Sequence, residues 1–222
     1  MESDNHAVAQ AVHDVGSALW FGGTVMGVTG VNKSGSDLEQ GIDRIRVAES
    51  AWSRFSPMQW AGIGATMLAG MQLTRVGAGR LALQRGFGSV GALKAGITVL
   101  GAAATAYSAY CGSRIGQLAE QAYDRGSEID VRDATVPGPA TPPQIAKWQR
   151  RQRIAQVAVP ILAGANIVCG SYLVQSYRPA ATTKGVLRRF LPDRMTGGGM
   201  MRGGMLRGGM ASTGMMRGRW MR

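Results

Sequence analysis

The side chains with the most distinctive chemistry sit at the C-terminal end of the chain, where Asp193 to Arg222 holds nine Gly, eight Met and six Arg. Read in fives from Gly198, the stretch is GGMMR, GGMLR, GGMAS, TGMMR, GRWMR, which places Met200, Met205 and Met210 at constant spacing. Thioethers are soft donors that select Cu(I), so a flexible tract could gather these three around one ion. The surrounding arginines repel cations, and the tail adds no His or Cys. The arginines offer a second chemistry. Arg188, Arg189, Arg202, Arg207, Arg217 and Arg219 belong to a segment, 178–222, that carries most of the formal net charge of +12. Such a segment attracts anionic lipid headgroups or an acidic protein surface. Arg202-Gly203-Gly204 and Arg207-Gly208-Gly209 also resemble nucleic-acid-binding units, but two copies make nucleic acid the weaker expectation. A five-residue period matches no helix face and the glycines oppose helix and strand alike, so the tail is expected to be disordered.

The elements that hold this tail are read from where charge is missing. The chain has 222 residues, 17% of them charged, and a mean hydropathy of -0.03, values ordinary for a soluble protein. Yet the blocks 15–31, 57–74, 89–112 and 154–177 together hold one charged side chain, Lys94. Exclusion of charge from blocks of that length predicts membrane spans, at about 7–31, 57–75, 89–112 and 154–177. The fold class expected is all-α: an integral membrane four-helix bundle with an interfacial amphipathic helix and a disordered C-terminal tail. A simple soluble enzyme is excluded.

Two polar side chains fall inside these blocks. Lys94 lies five residues from the start of its block, about 7.5 Å along a helix. Snorkelling to the headgroups is therefore the plainer expectation, against a functional intramembrane charge. Asn166 lies near the middle of the last block, where an amide needs a partner. Interhelical hydrogen bonding is expected ahead of contact with a substrate or ion. His13-Asp14, at a membrane boundary, could accept a proton or ligate a cofactor, and reads more plainly as a bystander. Cys111 and Cys169 fall at opposite depths of antiparallel spans, which disfavours a disulfide and leaves them as small packing residues.

Local signals set the connections. Gly23 and Gly27 form a GxxxG pattern, which lets a neighbouring backbone approach. Ser36-Asp37-Leu38-Glu39 reads as a capping box opening a helix over about 37–55. Its face Leu38, Ile42, Ile45, Ala48, Trp52, Phe55 would lie on the bilayer, or else pack on other loops. Ser56-Pro57 reads as a fresh helix start. Gly77 to Gly88 is a short basic connection. The third connection continues as helix through Ile115, Leu118, Ala122 and Tyr123. It then reaches a stiff Pro-rich linker at 134–143, which holds four of the eight prolines. Thr141 and Gln144 are expected to cap the last helix, which opens on a basic and aromatic stretch, Lys147 to Arg153. Pro160 should kink or loosen that helix.

Met1 to Asp14 is acidic where a signal peptide would be basic, so the first block is expected to be retained. No Walker loop, no HExxH and no CxxC occurs, and His6 and His13 are the only histidines. Nothing pairs a nucleophile with a base, so neither an enzyme nor a cofactor is expected. The Lys and Arg residues fall almost equally on the two sides of a four-span arrangement, and orientation stays open. At Val12-His13-Asp14 and Leu19-Trp20-Phe21-Gly22-Gly23 the first span resembles small four-span membrane proteins of the transmembrane-protein-205-like group. Asn166 in the last span is compatible with that likeness. The resemblance extends at most over Ala7 to Tyr177 and implies a fold but no catalytic residues. The Ala, Gly, Val and Arg content suggests a high-GC bacterial gene and the bacterial cytoplasmic membrane. The expected protein is a non-enzymatic accessory or scaffold subunit. Its partners would be membrane lipids and another membrane protein or a second copy of itself. The alternative is Cu(I) transport or sequestration through Met200, Met205 and Met210.

Overall fold

The computed structural model of the chain describes residues 2–77 and 87–175. They are mostly helical. Helix α1, Glu2–Met26, runs into a π-helical turn, Gly27–Val31, then one α-turn, Asn32–Ser34, and a 3-10 turn, Gly35–Asp37. Helix α2 spans Gly41–Val76, α3 spans Phe87–Asp124 and α4 spans Pro143–Gln175. Between α3 and α4 a small antiparallel hairpin pairs β1, Val131–Asp133, with β2, Val136–Pro137. α1 packs on α2 and α4, and α3 packs on α4 and α2. Two stretches, Gly88–Asp124 and Pro143–Gln175, are long and apolar enough to cross a membrane.

α2, α3 and α4 contain 36, 38 and 33 residues. At 1.5 Å per residue they are about 50–57 Å long, well beyond a 30 Å hydrocarbon layer. The extra length builds a separate cap. Ile42 and Ile45 of α2, Ile115, Ala119 and Ala122 of α3, Ile129 and Val131 around the hairpin, and Ile145 of α4 form one buried cluster. A second cluster, Trp20, Ile63, Val159 and Ala163, lies further along the helices.

The cap overturns several local expectations. The segment expected as an interfacial helix over 37–55 and the span expected from 57 are one helix, α2, with Pro57 in its interior. An interior proline removes one hydrogen bond and crowds the preceding turn, at a cost of about 3 kcal/mol. Packing on both sides of it holds the helix: Trp52 and Phe55 against α1 before the proline, buried Gln59 and Ile63 after it. The apolar face of 42–48 is covered by protein and does not lie on a bilayer. The Ser36 hydroxyl donates to the Lys33 carbonyl, and Gln40 precedes α2 with no side-chain cap bond. Gly41 instead lets α2 start against backbone, since a Cβ there would overlap the Ile129 carbonyl. Arg44 ties the same corner together, donating to the carbonyls of Leu38 at 2.7 Å and Val131 at 2.6 Å.

The expected stiff linker at 134–143 is folded into the cap. Asp130 accepts from the Ala140 amide at 2.8 Å, and the Gly138 amide donates to the Thr141 hydroxyl at 2.7 Å. Thr141 donates in turn to the Asp130 carbonyl, so it fastens the loop and does not cap α4. The GxxxG glycines also have a different use. A Cβ on Gly23 would fall inside the Phe55 ring, and one on Gly27 inside the Trp52 ring, so these glycines are sockets for aromatic side chains of α2. The close backbone crossing of α1 and α2 occurs instead at Gly16 and Gly62, where a Cβ on either would stand within 3 Å of the other's carbonyl oxygen.

Candidate functional site

Beside the second apolar cluster, the interior of the helices holds a run of polar side chains. On α1 the buried side chains His13, Ser17, Trp20 and Thr24 recur at spacings of three and four residues and so form one face. Each meets a polar group of another helix or of its own backbone. The Lys94 ammonium reaches His13 Nε2 at 2.6 Å, and His13 Nδ1 lies 3.0 Å from Asp14 Oδ1. An ammonium has only donors, so Nε2 accepts, and the ring proton sits on Nδ1, where it donates to Asp14. Thr98 donates to Asn166 Oδ1 at 2.9 Å, Asn166 Nδ2 donates to Ser17 Oγ at 3.2 Å, and Ser17 is 3.2 Å from Thr66 Oγ1. One turn further on, the Trp20 indole donates to Thr105 at 3.3 Å.

Asn166 thus makes the interhelical bonds expected of it, joining α4 to α1 and α3. Lys94 does not snorkel. It turns inward to His13, which is 1% exposed and no bystander. A histidine acceptor offers the ammonium a hydrogen bond inside the protein, and Asp14 beyond it supplies the counter-charge. Cys111 and Cys169 are free thiols, the first buried. The expected tail contacts at Arg188, Arg189, Arg202, Arg207, Arg217 and Arg219, the metal ligands Met200, Met205 and Met210, and most of the basic connection after Gly77 lie outside the described residues.

Toward the cap the polar interior opens into a cavity of about 210 Å³. Three departures from regular α-helix adjoin it. The π turn of α1 contributes Val28 and is followed by Asn32, which donates to Gln156 Oε1 at 2.6 Å and accepts from the Trp52 indole at 2.8 Å. Pro57 of α2 lacks the N–H that a helix would aim at the Ser53 carbonyl, and Pro160 of α4 lacks the one for Gln156. Ser53 and Gln156 both line the cavity. Broken helical hydrogen bonding within a helical interior is tolerated where backbone borders a cavity, and π turns gather at functional sites.

The polar lining is rich in amides: Asn32, Gln59, Gln152 and Gln156. Its one ionised side chain is Glu49, whose carboxylate lies over Gly116 in space that a Cβ would fill. The sequence reading overlooked these residues. The available signal was on α4, where Gln149, Gln152 and Gln156 repeat at three and four residues, a polar stripe facing inward beside the outward Ile154 and Val157. Among the described residues no group of three or more His, Cys, Asp or Glu could hold a metal ion. The arrangement contains acceptors and amides suited to holding a polar ligand. Compared with known proteins, the chain matches no protein family, no curated protein and no solved structure.

Proposed function

We propose that the chain is a four-span integral membrane protein of the bacterial cytoplasmic membrane, a non-enzymatic accessory or scaffold subunit. In this reading the helices form a bundle in the bilayer, as the likeness to the transmembrane-protein-205-like group implies. The cap stands in water on one side, and the basic tail binds anionic lipid or a partner on the other. The observation that supports it is the inverted distribution of side chains. Large apolar residues point outward on all four helices, with Val15 and Met26 each 68% exposed, Leu68 66%, Leu100 62% and Ile154 73%. The polar residues His13, Ser17, Thr66, Thr98, Thr105 and Asn166 are buried. Water would penalise such a surface, since soluble monomers rarely expose apolar patches beyond a few hundred Å². Hydrocarbon favours it, and buried polar side chains then link helix to helix.

The test is extraction of cell membranes with alkaline carbonate, followed by labelling of a single cysteine introduced as Met221→Cys in a chain lacking Cys111 and Cys169. Retention in the pellet supports insertion, and release into the supernatant overturns it. An impermeant maleimide that labels only after lysis places the tail inside, with anionic lipid and cytosolic partners. Labelling of intact cells places it outside and removes cytosolic partners from the reading.

A further inference from the structure

We propose that the cavity beside Glu49 is a binding site for a small organic ammonium compound, of the size of choline or ethanolamine. Its volume of about 210 Å³ corresponds to roughly seven waters of liquid, too large for a bare ion and fitted to a small molecule. Its charge selects the sign of the ligand. Glu49 is the one ionised side chain in the lining, no Lys or Arg lines it, and Glu49 makes no ion pair among the described residues. Glu49 repels an anion, whereas one ammonium balances one carboxylate. A divalent metal is disfavoured because such ions collect several oxygen ligands, typically more than one carboxylate.

The lining has hydrogen-bonding groups to offer a ligand. Gln59 is 6% exposed and Gln152 8% exposed, both line the cavity, and neither side chain has a hydrogen-bond partner among the described residues. Their amide groups are accessible from the cavity and are free to bond the hydroxyl of a ligand. The acceptors point the same way. Pro57 and Pro160 leave the carbonyls of Ser53 and Gln156 without their helical donors, which the N–H groups of a primary ammonium such as ethanolamine can supply, whereas the ammonium of choline has no N–H and is held by charge and aromatic contact alone. Trp52 adds an aromatic wall, a surface that attracts organic cations. A free ammonium compound and a phospholipid headgroup share this chemistry, and the cavity lies where the cap meets the apolar helices.

The experiment uses the full chain in detergent, with choline, ethanolamine and 3,3-dimethylbutan-1-ol, the uncharged counterpart of choline, followed by tryptophan fluorescence and thermal shift. Saturable binding of at least one of the two ammonium compounds, with none of the alcohol, is expected. Glu49→Gln should weaken that binding about tenfold or more, as loss of a charged hydrogen-bond partner does. Gly116→Ala should weaken it by displacing the carboxylate while keeping its charge. Both variants should unfold at the wild-type temperature, because Glu49 is exposed and its flexible end can shift. No saturable binding of either ammonium compound, equal binding of the alcohol, or an affinity unchanged in Glu49→Gln overturns the proposal. Repeating the titration in phosphatidylglycerol and in phosphatidylcholine nanodiscs identifies the source. Loss of free choline binding only in phosphatidylcholine assigns the site to a headgroup, and equal binding in both assigns it to a free ammonium compound.

Discussion

The Lys94 ammonium and His13 Nε2 lie 2.6 Å apart, joining α3 to α1 across a sequence separation of 81 residues. The pair resolves what an isolated lysine in an apolar block does. Its charge is carried through a neutral imidazole to Asp14, which sits at the surface and also accepts from Gln10 at 2.8 Å. The ring works as a spacer, since its two nitrogens let one side chain accept from Lys94 and donate to Asp14.

This coupling predicts a non-additive mutant cycle. Lys94→Met removes the donor and strands a buried ring nitrogen, and His13→Leu strands a half-buried ammonium. Each should lower stability by about 1–3 kcal/mol, the range for leaving a buried polar partner unsatisfied. The double variant, with neither group left over, should lose clearly less than the sum. Thermal unfolding of the four proteins in one detergent measures this, and additivity within about 0.5 kcal/mol would show the pair to be uncoupled.

The mostly helical character was legible in the sequence because charge exclusion and helix length are read along the chain, although the start expected at Ser56-Pro57 falls inside α2. What each helix faces was not, because facing depends on a second segment far away. Lys94 illustrates this: five residues from its block edge it has length enough to snorkel, and only the placement of His13 on another helix turns it inward. The segment at 42–48 has the pattern of a bilayer-surface helix, and an apolar stripe looks the same whether lipid or protein covers it. Its cover is Ile115, Ile129, Val131 and Ile145, which flank the stretch 134–143 that proline content made look like a plain linker. The cavity was the least legible part. Two of its glutamines, Gln152 and Gln156, lie on α4 near arginines, where a polar face reads as solvated, and its carboxylate is one of 13 acidic residues with no motif around it.

Gly23 tests the difference between a backbone crossing and a ring socket. Gly23→Ala puts a methyl group into the Phe55 ring, and such overpacking costs about 1–3 kcal/mol. Phe55→Leu in the same chain shortens the intruding side chain and should recover part of the loss. Gly22, one residue earlier, has open space where its Cβ would be, so Gly22→Ala should hold or raise stability through helix propensity. Unfolding midpoints of the wild type and the three variants decide the matter. A Gly23→Ala defect that Phe55→Leu leaves untouched would return the site to a helix–helix backbone contact.

The last prediction concerns the cap, where Arg46 Nε and Nη2 of α2 each donate at 2.7 Å to the two carboxylate oxygens of Glu120 on α3. These bonds hold the Glu120 carboxyl below its ordinary value near 4.5, with the Arg46 charge adding to the effect. A depressed carboxyl stabilises the fold above its unfolded value, and that contribution is lost as pH falls through the folded value. Both side chains are 43% exposed, so solvent and salt screen the pair and the effect is small. Wild type should therefore melt slightly higher than Glu120→Gln near neutral pH. The difference should shrink as pH drops below 4.5, and it should shrink at neutral pH when salt is raised. Melting curves of both proteins across pH and salt give the answer, and a gap that widens on acidification would mean that Glu120 is held in its protonated form.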